Sequence, residues 1–279
     1  LRLTNLDNLN REFARPSDTD QTMSTTKQPL RAALIGLSST SVTSWASTAH
    51  LPGLLTPTGR SKYTITALLN SSAESAQNSI KLNNFPASTK AYGSPEDLAA
   101  DPDIDVVICN TRVDQHYSTI LPSIKAGKDV YVEWPIASNL TDIRKVIEET
   151  KKSGSRVAVG LQRRWIPPVL KVREIVREGK LGKILSSQAN AYGGTSRRDS
   201  LVEGLKYFTD RKIGGNAITI GVGHSLDLVL SVTGRLDPKT VHSRMQLQRP
   251  ELKIRDPKTG DTIGTWKSEV ADFLSLHGE

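Results

Sequence analysis

Three short stretches hold the side chains able to do chemistry. The first, Asp129–Asn139 (DVYVEWPIASN), is an apolar alternation that runs into a turn. It leaves the Glu133 carboxylate and the Trp134 indole at a strand end, where α/β proteins seat their ligands. Pro135 turns the chain there and permits a cis bond before it. The second stretch, GNAITIGVGHSLD, offers His224, whose ring titrates near neutral pH and can carry a proton. Asp227 lies three residues on, on a neighbouring helical face, so it is not a direct partner for that ring. A core or ligand-holding histidine is the competing reading.

The third stretch, IGLSSTSVTSWAS, follows the first strand and opens a helix. Gly36 supplies the tight turn, and Ser38, Ser39 and Ser41 stand where a dinucleotide loop carries further glycines. Small hydroxyl residues still bring backbone N–H groups and a helix N-terminus to an anion. At the end of the second strand, LLNSSAE gives Asn70, Ser71 and Ser72. No carboxylate there holds both ribose hydroxyls or repels a 2′-phosphate, which favours NADP over NAD; an ordinary polar helix cap is the alternative. The five histidines and one cysteine show no ligand spacing, so no metal site is expected.

These residues need a scaffold, and from Leu30 the chain alternates apolar strands with helical segments, the signature of a parallel sheet covered by helices. RAALIGLS, YTITALLN, DVVICNT, DVYVEWP and RVAVGLQ read as strands. SAESAQNSIKLNN, Gln115–Ala126 and TDIRKVIEETKKSG read as helices, the last ending at Gly154, and Ser94 caps a short helix in SPEDLAADPD. After Gln162 the order changes to helix (PPVLKVREIVREGKLGK), strand (ILSSQANAYGG), helix (GNAITIGVGHSLDLVLSVTG) and strand (TVHSRMQLQRP), then a turn at PKTGD. The fold class is thus α/β, an N-terminal Rossmann-type domain followed by an α+β domain on an open, mostly antiparallel sheet. The expected divisions are a disordered arm over 1–29, the dinucleotide domain over 30–158 and the second domain over 159–279. Met23 resembles a natural start, so residues 1–22 are expected to be upstream translation.

A formal charge of +8 raises a nucleic-acid reading. The basic residues, however, are interleaved with acids along helices, as in RKVIEETKKSGSR, which points to solvated faces plus a local anion site and no direct nucleic-acid partner. No apolar run approaches the roughly 20 residues that span a bilayer, so no membrane association is expected. A single cysteine, Cys109, fits a reducing compartment, the cytosol or nucleus.

The βα turn, CNTRVDQHYSTILPSIKAGKDVYVEWPIA and GGNAITIGVGHSLDLV together resemble the Gfo/Idh/MocA family over residues 30–250. SWASTAHLP, the tryptophan of VEWP and GHSLD are similar to its fungal branch of galactose/lactose regulators, oxidoreductase-like proteins that bind NADP and repress transcription through protein contacts. The resemblance implies a dinucleotide site that includes Asn110, Thr111, His116, Glu133, Trp134, Pro135, Gln162 and Arg163, with Tyr192 and Lys212 near a substrate cleft. For Arg163 a surface salt bridge is the alternative. It also implies a lysine where this chain has Trp134, and an aspartate where it has Ile220, four residues before His224. An indole N–H takes up no proton and Ile220 cannot orient a base. Trp134 reads equally as packing at the domain junction or as a stacking surface for a nicotinamide or ligand ring.

The expectation is therefore a catalytically degenerate, NAD(P)-binding regulator with a transcription-factor partner or a sugar-like ligand. The alternative is an active oxidoreductase on a sugar-like or secondary-alcohol substrate, with His224 as acid/base. Family members continue with further strands, so the second-domain sheet is expected to be truncated at Glu279, and a homodimer is expected of a full-length protein.

Overall fold

In the computed structural model, residues 28–38, 44–192, 197 and 199–279 are described. Most of the expected N-terminal arm, together with Ser39, Ser41, Gly193 and Gly194, lies outside them.

The first sheet holds six parallel strands, β1 (Leu30–Ile35), β2 (Tyr63–Leu69), β3 (Lys90–Tyr92), β4 (Val106–Cys109), β5 (Asp129–Glu133) and β6 (Val157–Gly160), in the order 3-2-1-4-5-6. This is the doubly wound arrangement whose strand order reverses beside β1, opening a crevice at the carboxyl edge between β1 and β4. Alternate residues of the central strands go to opposite faces. Ala33, Ile35, Val107, Cys109, Val130 and Val132 pack on one face against Ile120, Ile124 and Val146. Ala32, Leu34, Leu68, Val106 and Ile108 pack on the other against Ala46, Leu51, Ala76 and Ile80. Burial on both faces is why these strands read as continuous apolar runs.

Beyond two single-turn helices, Leu51–Leu54 and Pro57–Arg60, this half holds α1 (Ala73–Leu82), α2 (Pro95–Ala100), α3 (Val113–Lys125) and α4 (Leu140–Ser153), and several of their ends follow local chemistry. Ser72 accepts from the Ser75 N–H at 3.1 Å, Ser94 from Asp97 at 3.2 Å and Asn139 from Asp142 at 3.0 Å. Gly154 ends α4 in the left-handed region.

The second half carries α5 (Pro167–Arg177), a 3-10 stretch over Glu203–Thr209, a π-helical turn over Ala217–Val222 and α6 (Gly223–Thr233). Its strands are β7 (Ser200–Val202), β8 (His242–Gln246), β9 (Glu251–Arg255), β10 (Thr262–Lys267) and β11 (Phe273–His277). They form two small sheets, β10-β9-β7 and β11-β8. The pairs β9–β10 and β8–β11 are antiparallel, whereas β7 runs parallel to β9. The strand expected from Ile184 is not formed up to Tyr192: Leu185 and Tyr192 are exposed, and no strand among the described residues pairs with the segment. Polar alternation makes a strand only where a neighbour takes its backbone hydrogen bonds.

Candidate functional site

The carboxyl edge of the first sheet gathers most of the residues singled out from the sequence. Gly36 adopts φ +85°, and its N–H donates to Leu69 O at 3.0 Å, which pins the turn after β1 to the end of β2. A Cβ at this position would lie 3.1 Å from the Asn110 carbonyl, so a glycine is needed both for the conformation and for the close approach of the β4 loop.

The Asn70 amide nitrogen is engaged within the fold, while its Oδ1 has no partner. The residue is buried, and its Nδ2 donates to Leu37 O (3.0 Å) and Ser79 Oγ (3.1 Å), bracing the turn after β1 against α1. Ser72 is committed to capping α1, and Ser71 is exposed. His116 is likewise a brace. Its Nδ1 lies 2.8 Å from Pro135 O and its Nε2 2.8 Å from Thr111 O, so the ring joins the loops that follow β4 and β5. It is enclosed, and that burial pushes its pKa down, outweighing the pull of the two carbonyls. The family resemblance implies a cofactor contact at this position, and here both ring nitrogens face carbonyls of the two loops at that edge. Thr111 Oγ1 reaches Cys109 Sγ at 3.4 Å.

At the end of β5, Glu133 is buried and its Oε1 is held by His50 Nε2 (2.6 Å) and by the Tyr131 hydroxyl (3.1 Å). Burial, reinforced by this carboxylate, drives the Tyr131 phenol strongly upward, so it stays a donor. Sequence reasoning missed His50, although it stands in the SWASTAHLP stretch. Gly160 is the counterpart on β6, since a Cβ there would come within 2.7 Å of Glu133 Oε2.

Trp134 precedes a cis bond to Pro135 and crosses to the second half of the chain. Its Nε1–H donates to Thr219 O at 2.7 Å, a carbonyl within the π-helical turn. Its ring lies against Gly223, where a Cβ would fall 2.3 Å from Nε1. The indole is thus bonded and seated, which favours the junction reading over a free stacking surface. Ser138 Oγ adds a second link across the same junction, to Ile213 O at 2.7 Å.

Ile220 is half-buried, and its Cδ1 would lie 3.5 Å from a Cβ placed on Gly215. His224 is partly buried and its Nδ1 has no partner. Burial, then the nearby Arg163 charge, lowers its pKa, so the ring is neutral at pH 7. Asp227 is no partner for it, because Arg164 takes both of its oxygens, through Nε at 2.9 Å and through a shorter Nη2 contact. Arg163 is exposed. Tyr192 is 91% exposed. Lys212 borders a shallow depression of about 240 Å³ beside Trp266, next to another of about 380 Å³ lined by Arg112, Lys206, Tyr207 and Trp266.

One feature tests whether a dinucleotide fits. Among the described residues, the buried side-chain atoms without a hydrogen-bond partner are Thr66 Oγ1, Ser123 Oγ and Arg173 Nε, which no reading assigned to a ligand, together with four others, Asn70 Oδ1, Asn110 Oδ1, Gln162 Oε1 and His224 Nδ1. All four belong to residues already assigned to the ligand site. An orphaned buried acceptor costs about 1–3 kcal/mol. The hydroxyls and carboxamide of a dinucleotide are the donors such acceptors lack. Gly36 and the Ser38 backbone would face the pyrophosphate, Asn70 and Asn110 the riboses, and Gln162, Arg163 and His224 the nicotinamide end. Among the described residues, no group of three or more histidine, cysteine, aspartate or glutamate side chains is arranged to hold a metal.

Comparison with known proteins bears on the same geometry. Residues 30–161 match the family described as "Oxidoreductase family, NAD-binding Rossmann fold" (GFO_IDH_MocA), and residues 167–279 match "Gal80p, C-terminal domain". The chain is 33% identical over 258 residues to Dehydrogenase aclE of Aspergillus oryzae, covering 90% of this chain and 66% of that one. It is 26% identical over 257 residues to the galactose/lactose metabolism regulatory protein GAL80 of Saccharomyces cerevisiae, covering 90% of this chain and 58% of the relative. The crystal structure of a super-repressor mutant of Gal80p from the same yeast superposes with a TM-score of 0.76 at 23% identity, over 90% of this chain and 64% of that one. The chain thus spans 66% or less of the length of these proteins.

Proposed function

Because the chain belongs to the Gfo/Idh/MocA oxidoreductase family, we propose that it is an NAD(P)-binding protein whose proton-handling groups have been replaced, and that it acts as a cofactor-sensing regulator. The observation that carries this reading is Trp134. Its indole N–H is spent on Thr219 O and its ring is wedged on Gly223, in the place where the family resemblance implied a protonatable lysine. Ile220 removes the second group, since a hydrocarbon neither orients nor charges a base. When bound, the nicotinamide would supply hydride chemistry, but a hydride step from an alcohol also needs a base for the hydroxyl proton. The lack of a carboxylate at Asn70 favours NADP over NAD. In this reading the bound dinucleotide sets the junction at Trp134, and a transcription-factor partner in the cytosol or nucleus reads it.

The first test is calorimetric titration with NADP and then NAD. One equivalent of NADP bound more tightly than NAD, with affinity lost in Gly36→Val, supports the reading; no binding of either sinks it. Gly36→Val is diagnostic because φ +85° and the 3.1 Å approach to Asn110 exclude a branched side chain.

A second reading, an active dehydrogenase for a sugar-like or secondary alcohol, is favoured by His224. Its pKa is held down by burial and its Nδ1 has no partner within the fold, so a neutral ring there retains the capacity to accept a proton. The similarity to a named dehydrogenase supports it as well. Turnover abolished by His224→Ala would establish this reading in place of the first.

A further inference from the structure

We propose a transition-metal site that no spacing in the sequence reveals, built from His242 and His277. The two residues are 35 positions apart in the chain, yet the antiparallel ribbon of β8 and β11 sets them directly opposite each other (His277↔His242). Their rings stack with centroids 5.3 Å apart and planes 23° from parallel. Both side chains are exposed, so neither ring is needed to fill a core. His242 begins β8 and His277 ends β11, which puts the pair at one end of the ribbon, where Glu279 bonds back to Asp237 and Thr240. Arg244, opposite Ser275, lies on the same face two residues further in, so its charge is set back from that end.

The chemistry follows from the ligand type. Neutral imidazole is a good ligand for zinc, copper and nickel, whereas hard cations such as magnesium and calcium prefer oxygen. A tetrahedral zinc ion with Zn–N bonds of about 2.0–2.1 Å holds its two nitrogens roughly 3.3 Å apart. Directly opposed cross-strand side chains have Cβ atoms about 4.5–5.5 Å apart, and rotation about their side-chain torsions turns stacked rings so that their nitrogens converge. Two protein ligands leave two positions for water or for an added donor, so the site is an open one. It is independent of the dinucleotide edge, which uses other strands and other histidines.

The site also has a mechanical consequence. Among the described residues the ribbon has two strands, and a two-stranded pairing by itself is marginal in water. An ion that bridges β8 and β11 joins the ends of the ribbon and stabilises it by binding the paired state alone.

The test is titration of the intact 279-residue chain with Zn2+ by calorimetry, with Mg2+ as the comparison. One equivalent of Zn2+ is expected to bind, with no heat from Mg2+. His242→Asn and His277→Asn are each expected to weaken binding at least tenfold. Both positions are exposed, and retained circular dichroism would show that the variants fold. A measurement that needs no variant is modification of the wild-type histidines by diethyl pyrocarbonate, mapped by mass spectrometry with and without Zn2+. Protection of His242 and His277 together supports the site. Zinc binding unchanged in both variants, protection confined to other histidines, or no zinc binding at all would overturn it.

Discussion

The two halves of the chain pack differently. In the first half, both faces of a six-stranded sheet are sealed, and side chains such as Leu34, Ile120 and Ile124 are wholly enclosed. After Gly160 the buried apolar residues, among those described, are Val169, Leu201, Ile254 and Val270, and α6, though rich in leucine and valine, buries no residue fully. The first half is a core that positions a site; the second is held by polar links and by its seat on the first. Two positions the family resemblance ties to proton transfer fall at this seam, Trp134, which is bonded to Thr219 O and seated on Gly223, and Ile220.

The widest gap between the halves should appear in truncations of apolar side chains. Ile124→Ala removes a fully buried side chain and should cost about 4 kcal/mol in denaturant unfolding, whereas Leu230→Ala, on half-covered α6, should cost about 1 kcal/mol. Equal losses would erase the distinction.

The seam comes next. Gly223→Ala places a methyl 2.3 Å from Trp134 Nε1, and neither the indole nor the helix can yield without breaking the bond to Thr219. A loss of about 2–3 kcal/mol is expected, with the thermal transition splitting in two as the halves uncouple.

Acid should act first on the first half. Burial raises the Asp101 carboxyl, but hydrogen bonds from the Tyr92 hydroxyl, the Asp103 N–H and Lys90 outweigh it and hold the pKa down to about 2. Because the folded value lies below the unfolded 3.8, the stabilisation is complete above pH ~4 and is lost as pH falls through about 2. It amounts to about 2 kcal/mol. Asp101→Asn should flatten the stability–pH curve in that window; an unchanged slope would refute the assignment.

The smallest effect isolates one bond. Trp134→Phe keeps a ring on Gly223 and removes only the N–H to Thr219 O, for about 1 kcal/mol by chemical denaturation.

How much of this was legible follows the same division. Strands buried on both faces announce themselves as apolar runs, and helix ends are written locally in Ser94 and Gly154, because caps depend on residues within one turn. Gly36 is readable for a similar reason, since the strand, turn and helix around it are contiguous. Pairings made by the fold are not readable. His50 meets Glu133 across 83 residues and Arg164 meets Asp227 across 63, and nothing near either residue encodes the partner. Asn70 and His116 were recognised as residues of the site edge, but their bracing bonds depend on where other loops fall. The strand expected from Ile184 failed because alternation cannot show whether a neighbouring strand exists.

The central claim is that this fold binds its dinucleotide but, with Trp134 and Ile220 where the family resemblance implied a lysine and an aspartate, carries out no hydride turnover. The most direct measurement is absorbance at the reduced-nicotinamide band, with protein shown to bind NADP, against a panel of sugars and polyols in the presence of NADP and then NAD. The account predicts no reduction above the protein-free rate. Reduction that scales with protein concentration and disappears in His224→Ala would contradict it.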